Sequence, residues 1–275
     1  MLTKNGVKLN SIIKVENLTK KFGDFVALDS VSFDVKKGEI FAFLGPNGAG
    51  KSTMIKILIT LLSSTDGSGI INGFSLIENP AQVRKSIGYV PQMISVDGAL
   101  TAYENMMLMA SLYDVPRKER QKRIREILVF LKLEKFEKTL VKNFSGGMIR
   151  KLEIGQAMLH HPPVLFLDEP TTGLDPIGRQ DVWEHLLELR DKFNTTIFFT
   201  THYMEEAEDV SDRIAIMNQG KLAVIGTVSE LKKKTKKANA TLDDAFIFFT
   251  GGELSEDRSN FRDIKRGRAM ERKLG

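Results

Sequence analysis

The fold of this chain is decided by one stretch, Gly45-Pro46-Asn47-Gly48-Ala49-Gly50-Lys51-Ser52-Thr53, which has the form G-x-x-x-x-G-K-[ST]. The apolar run Ile40-Phe41-Ala42-Phe43-Leu44 precedes it and predicts a buried strand. Apolar residues at helical spacing follow it and are expected to face the core: Ile55, Leu58, Ile59 and Leu62. A tight glycine turn lets successive backbone N–H groups point at anionic oxygens, so the stretch predicts a phosphate-binding loop.

Two side chains of this loop have the chemistry that a nucleotide requires. Lys51 supplies a positive charge to the β- and γ-phosphates, and Ser52 offers a hydroxyl to Mg²⁺. Both residues open a helix, whose unsatisfied amides and dipole add positive potential where the phosphates bind. The flanking strand and helix favour nucleotide binding over an ordinary glycine-rich surface turn.

The composition is that of an ordinary globular protein. The chain has 275 residues, of which 42% are hydrophobic, enough for one large domain or two closely joined domains. Residues 1–10 lack a signal-peptide pattern and no apolar run reaches about 18 residues, so we expect a cytoplasmic protein. The absence of cysteine excludes disulfides, thiolate metal sites and cysteine nucleophiles. A formal net charge of +5 is too modest to indicate nucleic-acid binding.

The N-terminal segments predict an antiparallel sheet. Residues 12–19 and 25–37 are expected to be strands, because apolar and polar residues alternate in the second segment. Residues 20–24 predict a turn that carries Phe22. This ring either stacks on an adenine base or fills the core of the hairpin, and the sequence leaves both alternatives open. Short strands are also predicted near Ile70-Ile71 and over Ile87–Val90.

Residues 101–160 form a helical block. Thr101 and Glu104 are placed to make a capping box at its start, and Pro116 separates its first helix from a charged amphipathic helix over residues 117–132. The first helix contains Met106, Met107, Met109 and Leu112. Such a cluster either packs a core or forms an adaptable groove for a partner helix, and the sequence leaves both alternatives open.

An acidic segment follows a second buried strand. Val164-Leu165-Phe166-Leu167-Asp168-Glu169 is apolar until its last two residues, which is the form of a Walker B strand. If this strand ends beside the phosphate loop, Asp168 can hold Mg²⁺ together with Ser52. Glu169 can then polarise the attacking water.

Three further segments indicate the same kind of site. Ser145-Gly146-Gly147 precedes a helical run and predicts a helix N-terminus that suits an anion. Thr171-Thr172-Gly173-Leu174-Asp175-Pro176 predicts a turn before a helix over residues 177–192. His202 follows an apolar strand over residues 196–201, and ligands collect at the C-terminal ends of parallel strands, so its imidazole is placed to reach a γ-phosphate.

In this order and at these distances, the motifs resemble the ATP-binding subunit of ABC transporters. The match spans residues 12–237 and comprises the phosphate loop, Gln92, Ser145-Gly146-Gly147, the carboxylate strand, Gly173-Leu174-Asp175 and His202. Three features resemble the exporter branch, which includes daunorubicin-resistance and polysaccharide or nodulation-factor export subunits. These features are Phe144-Ser145-Gly146-Gly147-Met148, the turn that ends in Asp175-Pro176, and Leu112-Tyr113-Asp114-Val115-Pro116.

The resemblance implies how ATP and Mg²⁺ are bound. Phe22 would stack on adenine, and Lys51 with the loop amides would hold the phosphates. Mg²⁺ would be surrounded by Ser52, Gln92 and Asp168.

The resemblance also implies the catalytic residues and the partners. Glu169 would be the catalytic base and His202 would support the transition state, with Gln92 and Lys51 completing the catalytic set. In an ATP-dependent head-to-tail dimer, Ser145, Gly146 and Gly147 would contact the γ-phosphate bound by the opposite subunit. Asp175 would communicate across that interface. A membrane subunit would hold the dimer at the cytoplasmic face of the cell membrane, and no nucleic acid is expected.

We therefore expect an α/β fold: a P-loop NTPase core with a mostly parallel sheet, an antiparallel β layer and an inserted helical subdomain over about residues 93–160. The ATP-binding domain is predicted over residues 12–237 and a C-terminal extension over 238–275, with a short apolar helix at 241–250 and weak order from 251. The basic cluster Lys232-Lys233-Lys234-Thr235-Lys236-Lys237 is either a solvated face or a contact for anionic lipid headgroups.

The predicted function is ATP hydrolysis that powers transport, with export favoured, through a separate membrane subunit. The alternative is a soluble ABC ATPase that acts on nucleic acid or on protein assembly. A single cassette and the absence of a long heptad insertion argue against that alternative.

Overall fold

The computed structural model describes residues 11–252, and within that range the chain forms ten strands and nine α-helices. The strands are β1 (Ser11–Phe22), β2 (Phe25–Lys36), β3 (Ile40–Leu44), β4 (Asp66–Ile71), β5 (Phe74–Ser75), β6 (Ile87–Val90), β7 (Val164–Asp168), β8 (Thr196–Thr201), β9 (Arg213–Asn218) and β10 (Lys221–Gly226). The helices are α1 (Lys51–Leu58), α2 (Pro80–Lys85), α3 (Ala102–Leu112), α4 (Arg117–Phe130), α5 (Gly146–Met158), α6 (Pro176–Phe193), α7 (Met204–Val210), α8 (Val228–Lys234) and α9 (Leu242–Thr250). Two short 3₁₀ helices cover Glu134–Phe136 and Val141–Asn143.

A six-stranded sheet forms the centre of the fold, in the order β10-β9-β3-β8-β7-β6. The strands from β9 to β6 are parallel to their neighbours, and β10 pairs with β9 in antiparallel fashion at one edge. Every residue of β3, β7 and β8 is buried, because both faces of a parallel sheet are covered. The predicted mostly parallel core is confirmed.

A second sheet, with the order β2-β1-β4-β5, is antiparallel throughout and covers one face of the central sheet together with α1. Phe33 of β2 joins the two sheets, because its ring centroid lies 5.7 Å from that of Phe41 and 6.1 Å from that of Phe198. Such aromatic pairs add about 0.5–1.5 kcal/mol each beyond their buried area. The predicted antiparallel layer is therefore present and is fixed to the core by aromatic packing.

The helical subdomain is inserted between β6 and β7. Helices α3, α4 and α5 surround a hydrophobic cluster of their own, in which Met106 is fully buried. The predicted capping box is confirmed: the Thr101 backbone N–H donates to Glu104 Oε2 at 2.8 Å, and the Glu104 N–H donates to Thr101 Oγ1 at 3.2 Å. Met106 thus packs a core, whereas Leu112 at the end of the same helix is 68% exposed.

The hairpin around Phe22 differs from its prediction. Lys20, Lys21 and Phe22 belong to β1, since they pair with residues 25–28 of β2, and the turn contains only Gly23 and Asp24. Phe22 is 49% exposed and the Lys20 ammonium lies 5.0 Å from its ring centroid. The alternative that Phe22 fills the core of the hairpin is therefore wrong.

Helix α1 is shorter than its apolar spacing predicted. Thr60 has a φ of 63°, and the amides of Leu61 and Leu62 both donate to the Lys56 carbonyl, which closes the helix at its C-terminus. Leu62 therefore packs against the core from a turn rather than from the helix. The sequence patterns also did not predict six elements of 2 to 7 residues: α2, β5, α7, β9, β10 and α8.

The C-terminal part contains the predicted short apolar helix, α9, which buries Leu242, Ala245 and Phe246 in the core. In the basic cluster, Lys232 forms an ion pair with Glu208, and Lys237 lies 2.7 Å from Asp244. These pairs fit a solvated face, and the lipid contact stays a prediction, as do the domain boundaries. The prediction of weak order from residue 251 falls mostly on residues 253–275, which lie outside the described residues. Across residues 11–252, no helix has both the length and the hydropathy to cross a membrane.

Candidate nucleotide-binding site

The predicted site residues follow three adjacent strands of the central sheet. The phosphate loop follows β3, Glu169 follows β7 and His202 follows β8, and β8 lies between the other two strands. Because the three strands are parallel, their C-terminal ends meet at one edge of the sheet. The structure therefore brings these residues, which are far apart in the sequence, to one place.

The phosphate loop turns through two glycines with positive φ, Gly48 at 81° and Gly50 at 102°. At Gly50 a Cβ atom would lie 2.8 Å from the carbonyl oxygen of Ala27, so a larger residue would also collide with β2. Among the described side chains, none caps the N-terminus of α1, which leaves its first amides available to an anion. The whole predicted loop is in place: Gly45, Pro46, Asn47, Gly48, Ala49, Gly50, Lys51, Ser52 and Thr53.

Lys51 is 6% exposed, and its ammonium donates to the carbonyl oxygens of Gly45 at 2.7 Å and Pro46 at 3.2 Å. Burial lowers the pKa of Lys51, and the negative charges of Glu169 and Asp168 oppose that effect. The loop thus holds a desolvated positive charge against its own backbone, close to two carboxylates. A phosphate group is the kind of ligand that such a charge binds strongly.

Asp168 is held rigidly at the end of β7. It is 5% exposed, and its Oδ1 atom accepts a hydrogen bond of 2.5 Å from the Thr200 hydroxyl on β8. The Glu169 amide donates to the Thr200 carbonyl at 3.1 Å, so one residue of β8 contacts both the Asp168 carboxylate and the Glu169 backbone.

Glu169 has a φ of 49° and its Oε2 atom is the meeting point of three side chains. Gln92 Nε2 donates to it at 3.0 Å and Thr172 Oγ1 donates at 3.2 Å, while His202 Nδ1 lies 3.3 Å away. The contact with His202 lowers the pKa of Glu169, against burial, which raises it. Glu169 is therefore an oriented, ionised carboxylate at neutral pH, as a general base must be.

Ser145 and Asp175 line the same cavity. Ser145 begins α5 and accepts a hydrogen bond from the Met148 amide at 3.3 Å, and Asp175 begins α6 and accepts one from the Gly178 amide at 2.7 Å. The two helix N-termini border an open cavity of about 580 Å³, which Gly146 and Gly147 also line. Within the described chain, the lining of this cavity includes no residue of the phosphate loop. Lys51 therefore does not border the cavity that Ser145 and Asp175 line.

The side-chain oxygen atoms of Ser52, Gln92 and Asp168 are of the kind that Mg²⁺ prefers. Gln92 donates its amide nitrogen to Glu169, which leaves its amide oxygen for a cation, and Asp168 and Ser52 supply a carboxylate and a hydroxyl. Between residues 11 and 252, no group of three or more His, Cys, Asp or Glu is arranged to hold a metal ion. Mg²⁺ at these three residues would therefore need phosphate oxygens to complete its coordination.

Sequence reasoning missed three residues that organise the site. Thr200 donates to Asp168, Thr172 donates to Glu169, and Arg150 donates to the backbone of Gln92. The signal for Thr200 is a hydroxyl residue at the end of a strand that is otherwise apolar. The signal for Arg150 is weaker, because nothing in the sequence near α5 shows that this cation is 5% exposed.

The sequence model of the family described as ABC transporter matches residues 28–172. The linearmycin resistance ATP-binding protein LnrL of Bacillus subtilis is 39% identical over 220 residues, which is 80% of this chain and 70% of that protein. The doxorubicin resistance ATP-binding protein DrrA of Mycobacterium tuberculosis is 42% identical over 212 residues, 77% of this chain and 64% of that protein. A solved dimeric ATP-binding cassette in a post-hydrolysis state, bound to ADP and Pi, superposes with a TM-score of 0.69 at 29% identity, covering 78% of this chain and 98% of that one.

The chain belongs to the ABC transporter family and is one of its ATP-binding, ATP-hydrolysing proteins. The resemblance that the motifs indicated is therefore confirmed, as is the predicted ATPase activity.

Lys51→Ala should reduce steady-state ATP hydrolysis by at least about 100-fold, because it removes the positive charge that the loop holds for the phosphates. Lys56→Ala is the matched control, since Lys56 is an exposed lysine of the same helix. Circular dichroism should show that both variants are folded. A folded Lys51→Ala protein with wild-type turnover would contradict the placement of the phosphates on this loop.

Proposed function

We propose that this chain is the ATP-hydrolysing subunit of an exporter and that it powers transport through a separate membrane subunit. The observation that carries the proposal is the meeting of the phosphate loop, Asp168 and an ionised Glu169 at one edge of the sheet. Two relatives named for resistance to linearmycin and to doxorubicin support export.

In the proposed reaction, Lys51 and the first amides of α1 hold the phosphates of ATP. Ser52, Asp168 and Gln92 would hold Mg²⁺, which supplies positive charge to the phosphates when it is bound. Glu169 accepts a proton from the attacking water, because its pKa is low enough for ionisation and its orientation is fixed.

His202 and Phe22 complete the proposed ATP site. His202 contacts Glu169, and its ring lies 4.1 Å from that of Tyr203, so it is oriented to support charge on the γ-phosphate. Phe22 is an exposed ring beside the Lys20 ammonium, so it is available to stack on adenine.

Among the described residues, none of the phosphate loop lines the cavity at Ser145, which supports a site shared between two copies of the chain. Ser145, Gly146 and Gly147 form an open helix N-terminus on a cavity of about 580 Å³, which a nucleotide held by a second copy can fill. Asp175 borders the same cavity and would transmit changes across the interface. A related cassette forms a dimer with ADP and Pi, which supports a head-to-tail dimer here.

The helical subdomain offers a docking surface for the membrane subunit. Four of its apolar side chains are between 50% and 81% exposed: Met93, Ile94, Leu108 and Leu112. Two of them directly follow Gln92, which contacts the proposed catalytic base. A partner that docks there would hold the protein at the cytoplasmic face of the membrane and could sense the state of the ATP site.

Glu169→Gln should trap an ATP-bound dimer, because it keeps the shape of the side chain and removes the base. Size-exclusion chromatography should show a monomer without nucleotide, a dimer with ATP and a monomer with ADP. Adding Ser145→Arg should abolish the ATP dimer, because the new side chain occupies the cavity that receives the γ-phosphate.

Glu188→Gln is the control for this experiment, since Glu188 is an exposed residue of α6 and the chemical change is identical. It should hydrolyse ATP and accumulate no dimer. A Glu169→Gln protein whose apparent mass is the same with and without ATP would contradict the shared site.

Substituting Leu108 and Leu112 together with Glu should prevent co-purification with the membrane subunit, because it places charges on the proposed apolar docking surface. The isolated variant should still bind ATP, since neither residue belongs to the nucleotide site. Leu61→Glu, at an equally exposed leucine beyond α1, should leave co-purification intact. Retention of the membrane subunit by the double variant would exclude this docking surface.

A further inference from the structure

The loop that carries Gln92 is bound directly to the helix that begins at Ser145. Arg150, on α5, donates from Nη1 to the Pro91 carbonyl at 2.7 Å and from Nη2 to the Gln92 carbonyl at 3.1 Å. These two residues come directly after β6, at the edge where the proposed catalytic residues meet. The guanidinium therefore fixes the backbone from which the Gln92 side chain reaches Glu169.

A buried carboxylate strengthens this attachment. Glu153, one turn further along α5, lies with Oε2 3.0 Å from Arg150 Nη1. Its Oε1 atom accepts from the Ser95 amide at 2.6 Å and from the Ser95 hydroxyl at 2.9 Å. The side chains of Arg150 and Glu153 are only 6% and 1% exposed. Burying two charges is costly unless each is paired and hydrogen-bonded, and here both charges are used to hold one loop.

The far end of the loop is also attached to the helical subdomain. Asn105 of α3 accepts from the Asp97 amide and donates to the Asp97 carbonyl, both at 2.9 Å. Gln156 of α5 donates in turn to the Asn105 carbonyl at 3.1 Å. The loop is thus held at both ends by the subdomain, while the Gln92 side chain reaches the core at Glu169.

We propose that Arg150 is a positioning residue for Gln92, because its two hydrogen bonds hold the backbone from which the Gln92 side chain reaches Glu169. The inference rests on the proposed function, in which Gln92 acts beside the catalytic base Glu169.

The geometry requires arginine at this position. The planar guanidinium presents several donors at fixed angles, so it can bind two successive carbonyls and face Glu153 at once. A lysine ammonium is a single point of charge and can keep only part of this set. Arg150→Lys should therefore give an intermediate effect, whereas Arg150→Met should remove the link.

The test is steady-state ATP hydrolysis by the full chain, measured for Arg150→Met, Gln92→Ala and the double variant. Arg150→Met should lower kcat by about 100-fold, because a misplaced catalytic group loses that order of rate, and should change the KM for ATP less than about threefold. In the Gln92→Ala background, Arg150→Met should cause no further loss, because the two residues act as one unit.

Arg123→Met is the matched control. Arg123 lies on α4 and donates to the Leu159 carbonyl, just beyond the C-terminus of α5. Like Arg150, it is an arginine of the subdomain that binds a backbone carbonyl, but it does so at the end of α5 away from Ser145. The Arg123→Met variant should leave kcat within about threefold of wild type.

Because Arg150→Met leaves Glu153 buried without its partner, the double change Arg150→Met with Glu153→Gln removes both charges and protects the fold. It should show the same loss of kcat.

An Arg150→Met effect that adds to that of Gln92→Ala would overturn the inference and leave the proposed function standing. The inference would also be overturned if the folded Arg150→Met with Glu153→Gln protein kept wild-type kcat, or if Arg123→Met lost as much activity. If Gln92→Ala itself left kcat unchanged, the catalytic role proposed for Gln92 would fail together with the inference.

Discussion

The parallel pairing of β8 with both β3 and β7 is the constraint on which the rest of the structure depends. Thr200 of β8 is the register partner of Phe43 on one side and of Asp168 on the other. This register brings the ends of three strands to one edge and lets the Thr200 hydroxyl reach Asp168 at 2.5 Å. A slip of one residue in either pair would turn that hydroxyl to the other face of the sheet. Aromatic packing of Phe33 and Phe198 holds the antiparallel layer against the same strands.

The second constraint is that the charges of the site must compensate one another, because Lys51, Asp168 and Glu169 lie together in a largely buried environment. Isolated buried charges are costly. Burial lowers the pKa of Lys51, but the two carboxylates oppose this shift. The contact with His202 keeps the pKa of Glu169 low. Lys51 therefore offsets part of the negative charge of the two carboxylates before a nucleotide binds. The phosphates of ATP then bring the negative charge for which the loop amides and Lys51 are oriented.

Local structure could be predicted from the sequence where it depends on short-range spacing. The loop around Lys51, the carboxylates at the end of β7 and the helix start at Ser145 each depend on a few consecutive residues, so residue type and pattern were enough to predict their local structure. Prediction failed where a contact joins distant segments or where an element is short. Arg150 meets Gln92 across 58 residues, and the strand that contains Phe22 is extended by pairing with β2. Neither the pairing nor the burial of Arg150 leaves a local pattern in the sequence.

The central claim is that each ATP site is shared between two copies of the chain. The most direct measurement is the ATPase activity of a mixture of Lys51→Ala and Ser145→Arg proteins, each of which lacks one half of the site. In a mixed head-to-tail pair, the intact phosphate loop of one copy faces the intact Ser145 of the other. The account predicts that two inactive proteins regain hydrolysis when they are mixed. A mixture as inactive as its two components would contradict the shared site.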